Sequence, residues 1–315
     1  MDTNYGMEIV RATEIAALTA ARHQGLGDNI AILNITRSAI IKALTGMNID
    51  GTVVNDRFQG DDSIVQMPKQ FGSGEQQADI MAIALEGCHS AADGKDNVTS
   101  YAVIANKGSI QPVPNLPMFK LVTGPKVGNA IDIKQPPIVN VKRTARILKK
   151  YTENVTVCIL NQARHHKLIE EVRSCGARIR LIDEGEISGC LAAISGEKVD
   201  IYMGYGHAPE GTIIAAAISC LGGYFEGKIL YENDHDKSLA TDHGITNHDK
   251  IFQVQDLIRS KEVAIAATGI TDGEFLDGVR FTPNGAITHS FVARGKSRTY
   301  RKLETRHVFD YTPVF

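Results

Sequence analysis

Strand and helix signals alternate along the second half of this chain, and this alternation is the feature that most restricts its fold. Apolar, β-rich segments predict strands at 155–160, 177–182, 199–204 and 263–267. Apolar residues at helical spacing predict helices at 168–174 and 187–194, between the first three of these strands. Such alternation is typical of a parallel sheet with crossover helices. The second half of the chain is therefore predicted to be α/β.

The first half of the chain has a different pattern. Helical spacing of apolar residues predicts helices at 7–22 and 35–44, and short β-rich runs predict strands at 51–54 and 101–105. The segment 111–125 contains four prolines and is predicted to be irregular. A chain of 315 residues has room for two domains. We expect an α+β domain at 1–135 and an α/β domain at 136–315.

Composition excludes several classes of partner. The formal net charge is −2 and no basic stripe is present, so we expect no nucleic-acid partner. No window approaches the roughly 18 apolar residues of a membrane span, and the first residues lack the pattern of a secretory leader. The five cysteines are odd in number and lie far apart, as expected for thiols in a reducing compartment. These features predict a cytoplasmic protein.

The segment Tyr205-Gly206-His207-Ala208-Pro209-Glu210-Gly211 follows a predicted strand and precedes an apolar helix. It predicts a strand, a tight glycine turn and a helix that starts at Pro209, which places the Glu210 carboxylate in the first helical turn. His207 would lie beside it as a general acid or base near neutral pH. The alternatives are an ordinary helix-terminal charge for Glu210 and a capping or packing role for His207.

Four loops follow predicted strands and are expected to converge at one edge of the sheet. They are 161–166, 183–186, 205–211 and 268–273. Open α/β sheets bind ligands at such an edge, and Arg164 offers a forked donor to a phosphate. The pattern therefore predicts a site for a small phosphorylated or anionic metabolite, although four ordinary solvated loops would look similar.

Several segments occur in the order found in a known family. They are 7–14, 48–54, 163–165, 208–211, 267–273 and 294–299. Through these segments the chain resembles the class II fructose-1,6-bisphosphatases over nearly its whole length. The resemblance implies the layered α-β-α-β-α sugar-phosphatase fold and a homodimer or homotetramer.

The resemblance also implies a chemistry, the metal-dependent removal of the 1-phosphate of fructose 1,6-bisphosphate. In that family carboxylates hold Mg²⁺ or Mn²⁺, which activates water and clamps the phosphate. By the same resemblance Glu86 and Glu210 are the expected catalytic carboxylates and metal ligands. The expected substrate-binding residues are Arg164, His165, Glu184, Glu186, Gly206 and Cys88.

The chain departs from the family's pattern where acids are expected. Leu33, Arg57 and Ile83 stand at positions where the family has carboxylates. Arg57 then becomes a candidate anion clamp and His207 a candidate proton shuttle, so both join the expected catalytic residues. The acids that could substitute for the missing ligands are Asp56, Asp61, Asp62 and Asp79. A second metal hypothesis rests on the Asp and His residues of 233–249.

We therefore predict a family member that acts on or binds a phosphorylated sugar-like substrate. Its standard Mg²⁺-dependent bisphosphatase activity would be lost or altered and its scaffold repurposed. Two alternatives stay open. One is a working sugar-phosphate phosphohydrolase with a remodelled metal site, and the other is a catalytically inactive binding or regulatory subunit.

Overall fold

A computed structural model describes residues 5–58 and 61–309 of the chain. It divides into two compact units, the first made of Met1–Ile110 with Ser260–Phe315 and the second of Gln111–Arg259. These units follow different boundaries from the expected division at residues 135 and 136. The physical reason is that a strand after Ser260 pairs with a strand formed before Ile110, which returns the chain to the first unit.

The first unit begins with two helices that pack on a sheet. Its first elements are α1 (Tyr5–Ala21), α2 (Asn29–Thr45), β1 (Asp50–Val53), β2 (Gln70–Phe71), β3 (Gln77–Glu86), α3 (Cys88–Ala92) and β4 (Thr99–Asn106). The Asp28 carboxylate caps α2 by accepting from the backbone N–H of Ala31 at 2.9 Å. α2 therefore begins at Asn29, six residues before the predicted start at residue 35, because the cap satisfies a terminal N–H group there.

The second unit contains the alternating part of the chain. Its elements are β5 (Pro117–Thr123), α4 (Pro137–Leu148), β6 (Thr156–Leu160), α5 (His166–Ser174), β7 (Arg178–Ile182), α6 (Glu186–Ser195), β8 (Ile201–His207), α7 (Ala208–Leu221), β9 (Tyr224–Ile229), α8 (Asp234–Asp242), β10 (Ile251–Phe252) and α9 (Val254–Leu257). The predicted strands and helices between 155 and 204 are confirmed, with ends shifted by a few residues.

The sheet of the second unit is mixed, which corrects the expectation of a parallel sheet. Its strand order is β10-β9-β5-β8-β6-β7. β6 runs parallel to β7 and β8, whereas β5 runs antiparallel to β8 and β9. The segment 111–125, predicted to be irregular, contains β5. Pro117 is the first residue of that strand, a position where a proline is tolerated.

Helices cover both faces of this second sheet. On one face, α4 and α5 contribute Val141 and Val172 to an apolar cluster with Val157 and Met203 of the strands. On the other face lies α6, whose Gly189 packs against Cys158 and Tyr202. Side chains of neighbouring strand residues point to opposite faces, so the two sets occupy opposite sides. This unit is a layered α/β unit.

The chain returns to the first unit with β11 (Val263–Gly269), β12 (Arg280–Thr282), β13 (Gly285–Arg294) and β14 (Thr299–Val308). The sheet order there is β12-β13-β11-β4-β3-β1-β2, with β14 paired to β13. Ile9 and Ala16 of α1 are fully buried against Ile80 and Ile104 of the sheet. The predicted α/β class is thus confirmed. No described helix is long and apolar enough to cross a membrane.

A second apolar cluster of the first unit surrounds Leu33 of α2. Leu33 is only 2% exposed. The other buried members of this cluster are Ala17, Ala20, Ile32, Ile64, Leu85, Ala91, Val98 and Ile270. The side chain at this position therefore contributes to the core of the unit.

We predict that Leu33→Asp lowers the free energy of unfolding by about 3 kcal/mol or more, because a carboxylate would be buried among apolar side chains. Ile30→Asp, on the same helix at a position that is 41% exposed, should change it by less than about 1 kcal/mol. Urea unfolding followed by circular dichroism measures both. Equal effects of the two substitutions would contradict the core assignment of Leu33.

Candidate functional site

The junction between β8 and α7 carries the candidate residues of the 205–211 segment. β8 continues to His207 and α7 begins at the next residue. The tight glycine turn that the sequence predicted between them is therefore absent. Ala208 is the first helical residue and Pro209 follows it. Glu210 lies in the first turn and is 3% exposed. The predicted placement of this carboxylate at the positive end of the helix dipole is confirmed.

A buried ionic cluster lies beneath this junction. Lys120 of β5 is fully buried and its Nζ donates to Glu186 Oε1 at 2.8 Å and Oε2 at 3.0 Å. The Tyr202 hydroxyl donates to Glu186 Oε1 at 3.1 Å. Gly206 passes so close to the Glu186 carboxylate that a Cβ there would overlap it. We call Lys120, Glu186 and Tyr202 the lysine–glutamate cluster.

Opposing effects act on the pKa of Glu186 in the lysine–glutamate cluster. Burial raises the pKa of Glu186 above its ordinary value, the Lys120 ammonium lowers it, and the nearby Glu210 carboxylate raises it again. Burial and the neighbouring Glu186 charge also raise the pKa of Tyr202. Glu186 was expected to bind substrate. The residue is only 5% exposed, and its carboxylate accepts hydrogen bonds from groups inside the unit.

His165 lies in the turn between β6 and α5 and is fully buried. Its Nδ1 is 2.9 Å from the Leu160 carbonyl oxygen, and the backbone N–H of Tyr205 donates to its Nε2 at 2.7 Å. These partners assign the proton to Nδ1, because Nε2 is the acceptor. Burial lowers the pKa of His165. The ring thus ties the β6–α5 turn to β8, rather than facing solvent.

The other predicted residues of this unit lie nearer the surface. Arg164 is exposed and forms no ion pair with any described residue, so its guanidinium is available to an anion. Glu184 and His207 are half-buried. The Nδ1 of His207 lies 3.0 Å from Asn115 Oδ1, which makes Nδ1 the donor.

A cavity of about 570 Å³ lies on the face of the sheet that Tyr205 occupies. Phe119 and Tyr205 are cross-strand partners with ring centroids 5.0 Å apart, in an edge-to-face arrangement. The remaining lining residues are Ile133, Lys134, Lys228, Ile229, Leu230, Asp249 and Ile251. We call this cavity the aromatic pocket. Its size is within the range of small-molecule sites.

The first unit places the expected metal-site positions in a different setting. Arg37 of α2 is 2% exposed and holds Asp56 through two bonds, at 2.9 and 3.2 Å. The Arg37 and Arg57 guanidinium carbons lie 5.2 and 5.4 Å from the centre of the Phe58 ring. Asp56, which directly precedes Arg57 and was considered as a substitute metal ligand, is therefore paired with an arginine.

Glu86 ends β3 after an irregularity in its pairing with β4, and it is 7% exposed. Cys88, two residues later, is half-buried at the start of α3, and its Sγ lies 3.6 Å from Nδ1 of its neighbour His89. Ile83 is half-buried on the same strand as Glu86. Glu86 is thus a buried carboxylate at a strand end.

The acids proposed as substitutes are held locally. Asp79 accepts from the Ile110 backbone N–H at 3.0 Å and lies 3.8 Å from the Lys107 ammonium. The exposed Asp61 bonds Ser63, and that hydroxyl lowers the pKa of Asp61. In the stretch 233–249, no three described ligand atoms come within 4.8 Å of one another, which counts against the second metal hypothesis.

Comparison with known proteins identifies the family. A family model described as "Bacterial fructose-1,6-bisphosphatase, glpX-encoded" matches residues 3–307. The chain belongs to this bacterial fructose-1,6-bisphosphatase family.

Two curated relatives of this bisphosphatase family member are each named "D-fructose 1,6-bisphosphatase class 2/sedoheptulose 1,7-bisphosphatase". The one from Synechococcus sp. (strain JA-2-3B'a(2-13)) is 33% identical over 337 residues, which cover 98% of this chain and 97% of the relative. The one from Trichodesmium erythraeum (strain IMS101) is 32% identical over 340 residues, which cover 99% and 98%. The family resemblance of the sequence is thereby confirmed.

Sequence reasoning missed several residues with specific contacts inside one or the other unit of this bisphosphatase-family member. They are Arg37, Asn115, Phe119, Lys120 and Tyr202. A lysine within an apolar strand is an available signal for Lys120, because such a residue needs a buried anionic partner. No local pattern marks Arg37, whose partner Asp56 lies 19 residues away.

We predict that acid destabilises this protein through His165. The pKa of His165 is lower in the folded protein than its ordinary value of 6.5. The stability that neutral His165 contributes is therefore fully present above pH 6.5 and is lost as the pH falls through the folded-state pKa. One proton corresponds to a slope of at most about 1.4 kcal/mol per pH unit. Urea unfolding at several pH values below 6.5 should show this slope reduced in His165→Gln.

The control is the adjacent His166→Gln, since His166 is exposed. It should keep the pH dependence of the native protein. A His165→Gln variant with the native slope would show that the buried ring does not carry this dependence.

Proposed function

We propose that this bisphosphatase-family member binds a phosphorylated sugar-like substrate through its second unit, while standard Mg²⁺-dependent bisphosphatase activity is lost or altered. The observation that carries the proposal is the pairing of Asp56 with the buried Arg37. The Arg37 guanidinium neutralises the charge of the Asp56 carboxylate, and a cation near the pair would be repelled by that guanidinium. The adjacent Arg57 adds a second positive charge.

The donor chemistry of the first unit does not fit a multi-metal site. Mg²⁺ and Mn²⁺ take oxygen ligands, and carboxylates usually supply their charge balance. Leu33 and Ile83 offer no oxygen in their side chains, and Leu33 belongs to the core. Of the expected acids in this unit, Glu86 is retained. No step of a reaction is therefore assigned to a metal here.

The second unit supports ligand binding. Arg164 offers its guanidinium to a phosphate from the turn after β6. His165 holds that turn against the Tyr205 backbone, so the turn and β8 keep a defined spacing. The aromatic pocket adds Lys134 beside an apolar wall, a combination that suits the carbon face and the phosphate of a sugar phosphate. Lys228, which also lines this pocket, is paired with Asp249 at 3.3 Å.

His207 is the group that we assign to proton transfer in a repurposed reaction. It lies at the end of β8, and its Nδ1–H donates to Asn115, which fixes the ring orientation. Histidine is the side chain that most often serves as a general acid or base in catalysis. The relatives' printed names point to sugar bisphosphates as the substrate class.

We predict that phosphate release from fructose 1,6-bisphosphate in Mg²⁺ or Mn²⁺ is far below an ordinary enzyme rate of ~10 s⁻¹. Arg57→Glu alone should not restore it, because Asp56 stays paired with Arg37. A coupled assay of inorganic phosphate measures both proteins. Turnover near the ordinary rate by the native protein would instead support a working phosphohydrolase with a remodelled site.

We also predict that fructose 6-phosphate and fructose 1,6-bisphosphate raise the thermal melting temperature, and that Arg164→Met largely removes this shift. Arg173→Met, on the last turn of α5 and likewise exposed, is the matched control and should keep it. Differential scanning fluorimetry over a ligand series gives the shift. Binding without any turnover would favour the regulatory subunit, and no shift with any sugar phosphate would contradict the proposal.

A further inference from the structure

A second cavity of the same unit lies away from the candidate site. Its volume is about 480 Å³, within the range of small-molecule sites. Its lining residues include Lys126, Leu148, Lys149, Ile194, Ser195 and Asp200. We call it the lysine pocket.

The lysine pocket is at the opposite edge of the sheet from the β8–α7 junction. Asp200 directly precedes β8, and Gly124 directly follows β5, which runs antiparallel to β8. Arg164 and Glu210, in contrast, follow the carboxyl ends of β6 and β8. A strand of six or seven residues spans about 20 Å, so the two sites are separated by the length of the sheet.

The charges of the lysine pocket are unbalanced. Asp200 is the acidic residue that lines it, and its carboxylate is already engaged by the Lys150 ammonium at 2.6 Å and the Thr156 backbone N–H at 3.0 Å. Lys126 and Lys149 form no ion pair with any described residue. Both lysines are exposed, so their ammonium groups are available to an anion that enters the cavity.

The rest of the wall is mainly apolar. Pro125, Val127, Leu148 and Ile194 contribute carbon surface, and Val127 is only 6% exposed. An apolar ligand body would bury carbon surface against these side chains.

The backbone around the cavity holds an uncommon conformation. Lys149 ends α4 with φ 54° and ψ 39°, a left-handed position that glycine usually occupies at a helix end. Gly196 ends α6 in the same conformation, and a Cβ added there would meet no atom within 4 Å. The end of α6 thus borders open space. At the end of α4, Lys149 adopts a backbone conformation that is less strained for glycine.

We propose that the lysine pocket is a second small-molecule site, which takes a phosphorylated ligand with an apolar body. The phosphate lies between Lys126 and Lys149, and the apolar body lies against Leu148 and Ile194. This site is distinct from the one proposed for the sugar phosphate, so each site can be occupied while the other is empty.

Isothermal titration calorimetry with 1-naphthylmethylphosphonate tests this site. The probe has an aromatic body and a carbon–phosphorus bond that phosphatases do not hydrolyse. The native protein should bind it, and Lys126→Glu/Lys149→Glu should weaken binding by roughly tenfold or more, because both attractions become repulsions. Ser195→Phe should weaken binding without any charge change, because the new side chain occupies the cavity.

The charge-matched control is Lys142→Glu/Lys167→Glu, two exposed lysines of α4 and α5 that do not line the pocket. It should bind the probe like the native protein, as should Arg164→Met, which tests the sugar-phosphate site. Thermal melts confirm that each variant is folded. Native affinity in both pocket variants, or equal weakening in the control, would overturn the proposal.

Discussion

The buried pair of Lys120 and Glu186 is the interaction on which the second unit depends. Lys120 is fully buried on β5, inside a six-stranded sheet, where an unpaired ammonium would be strongly unfavourable. Removing one partner of such a pair costs about 3–5 kcal/mol, because the other charge stays buried. The pair joins β5 to the first turn of α6, and Tyr202 of β8 completes it. Gly206 then has to lack a side chain, because Glu186 occupies that space.

The same physical requirement operates in the first unit with a different consequence. Arg37 is almost completely buried on α2, and Asp56 supplies its counter-charge. The Asp56 carboxylate neutralises a guanidinium there, and Leu33, one turn earlier on α2, is part of the apolar core. Both units therefore use carboxylates as internal partners of buried cations. Arg164 of the second unit, in contrast, is exposed at the surface.

Much of the fold could be predicted, because its signals are local. The strands at 155–160 and 177–182 and the helix at 168–174 follow from apolar periodicity, which depends on neighbouring residues alone. β5 was missed because its segment contains several prolines, and only its pairing with β8 and β9 makes it a strand. The site was predictable in part. The expected position of Glu210 is confirmed, but nothing in the sequence showed that Glu186 would face inward.

The sequence by itself determined the family, the α/β class and the residue types at each candidate position. Several motifs in a common order carry that information without any contact being known. Tertiary structure decided which charges meet, because the partners are far apart along the chain: Lys120 and Glu186 are separated by 66 residues, and Arg37 and Asp56 by 19. A carboxylate's chemistry depends on what lies within a few ångströms of it, and only the folded chain sets that neighbourhood.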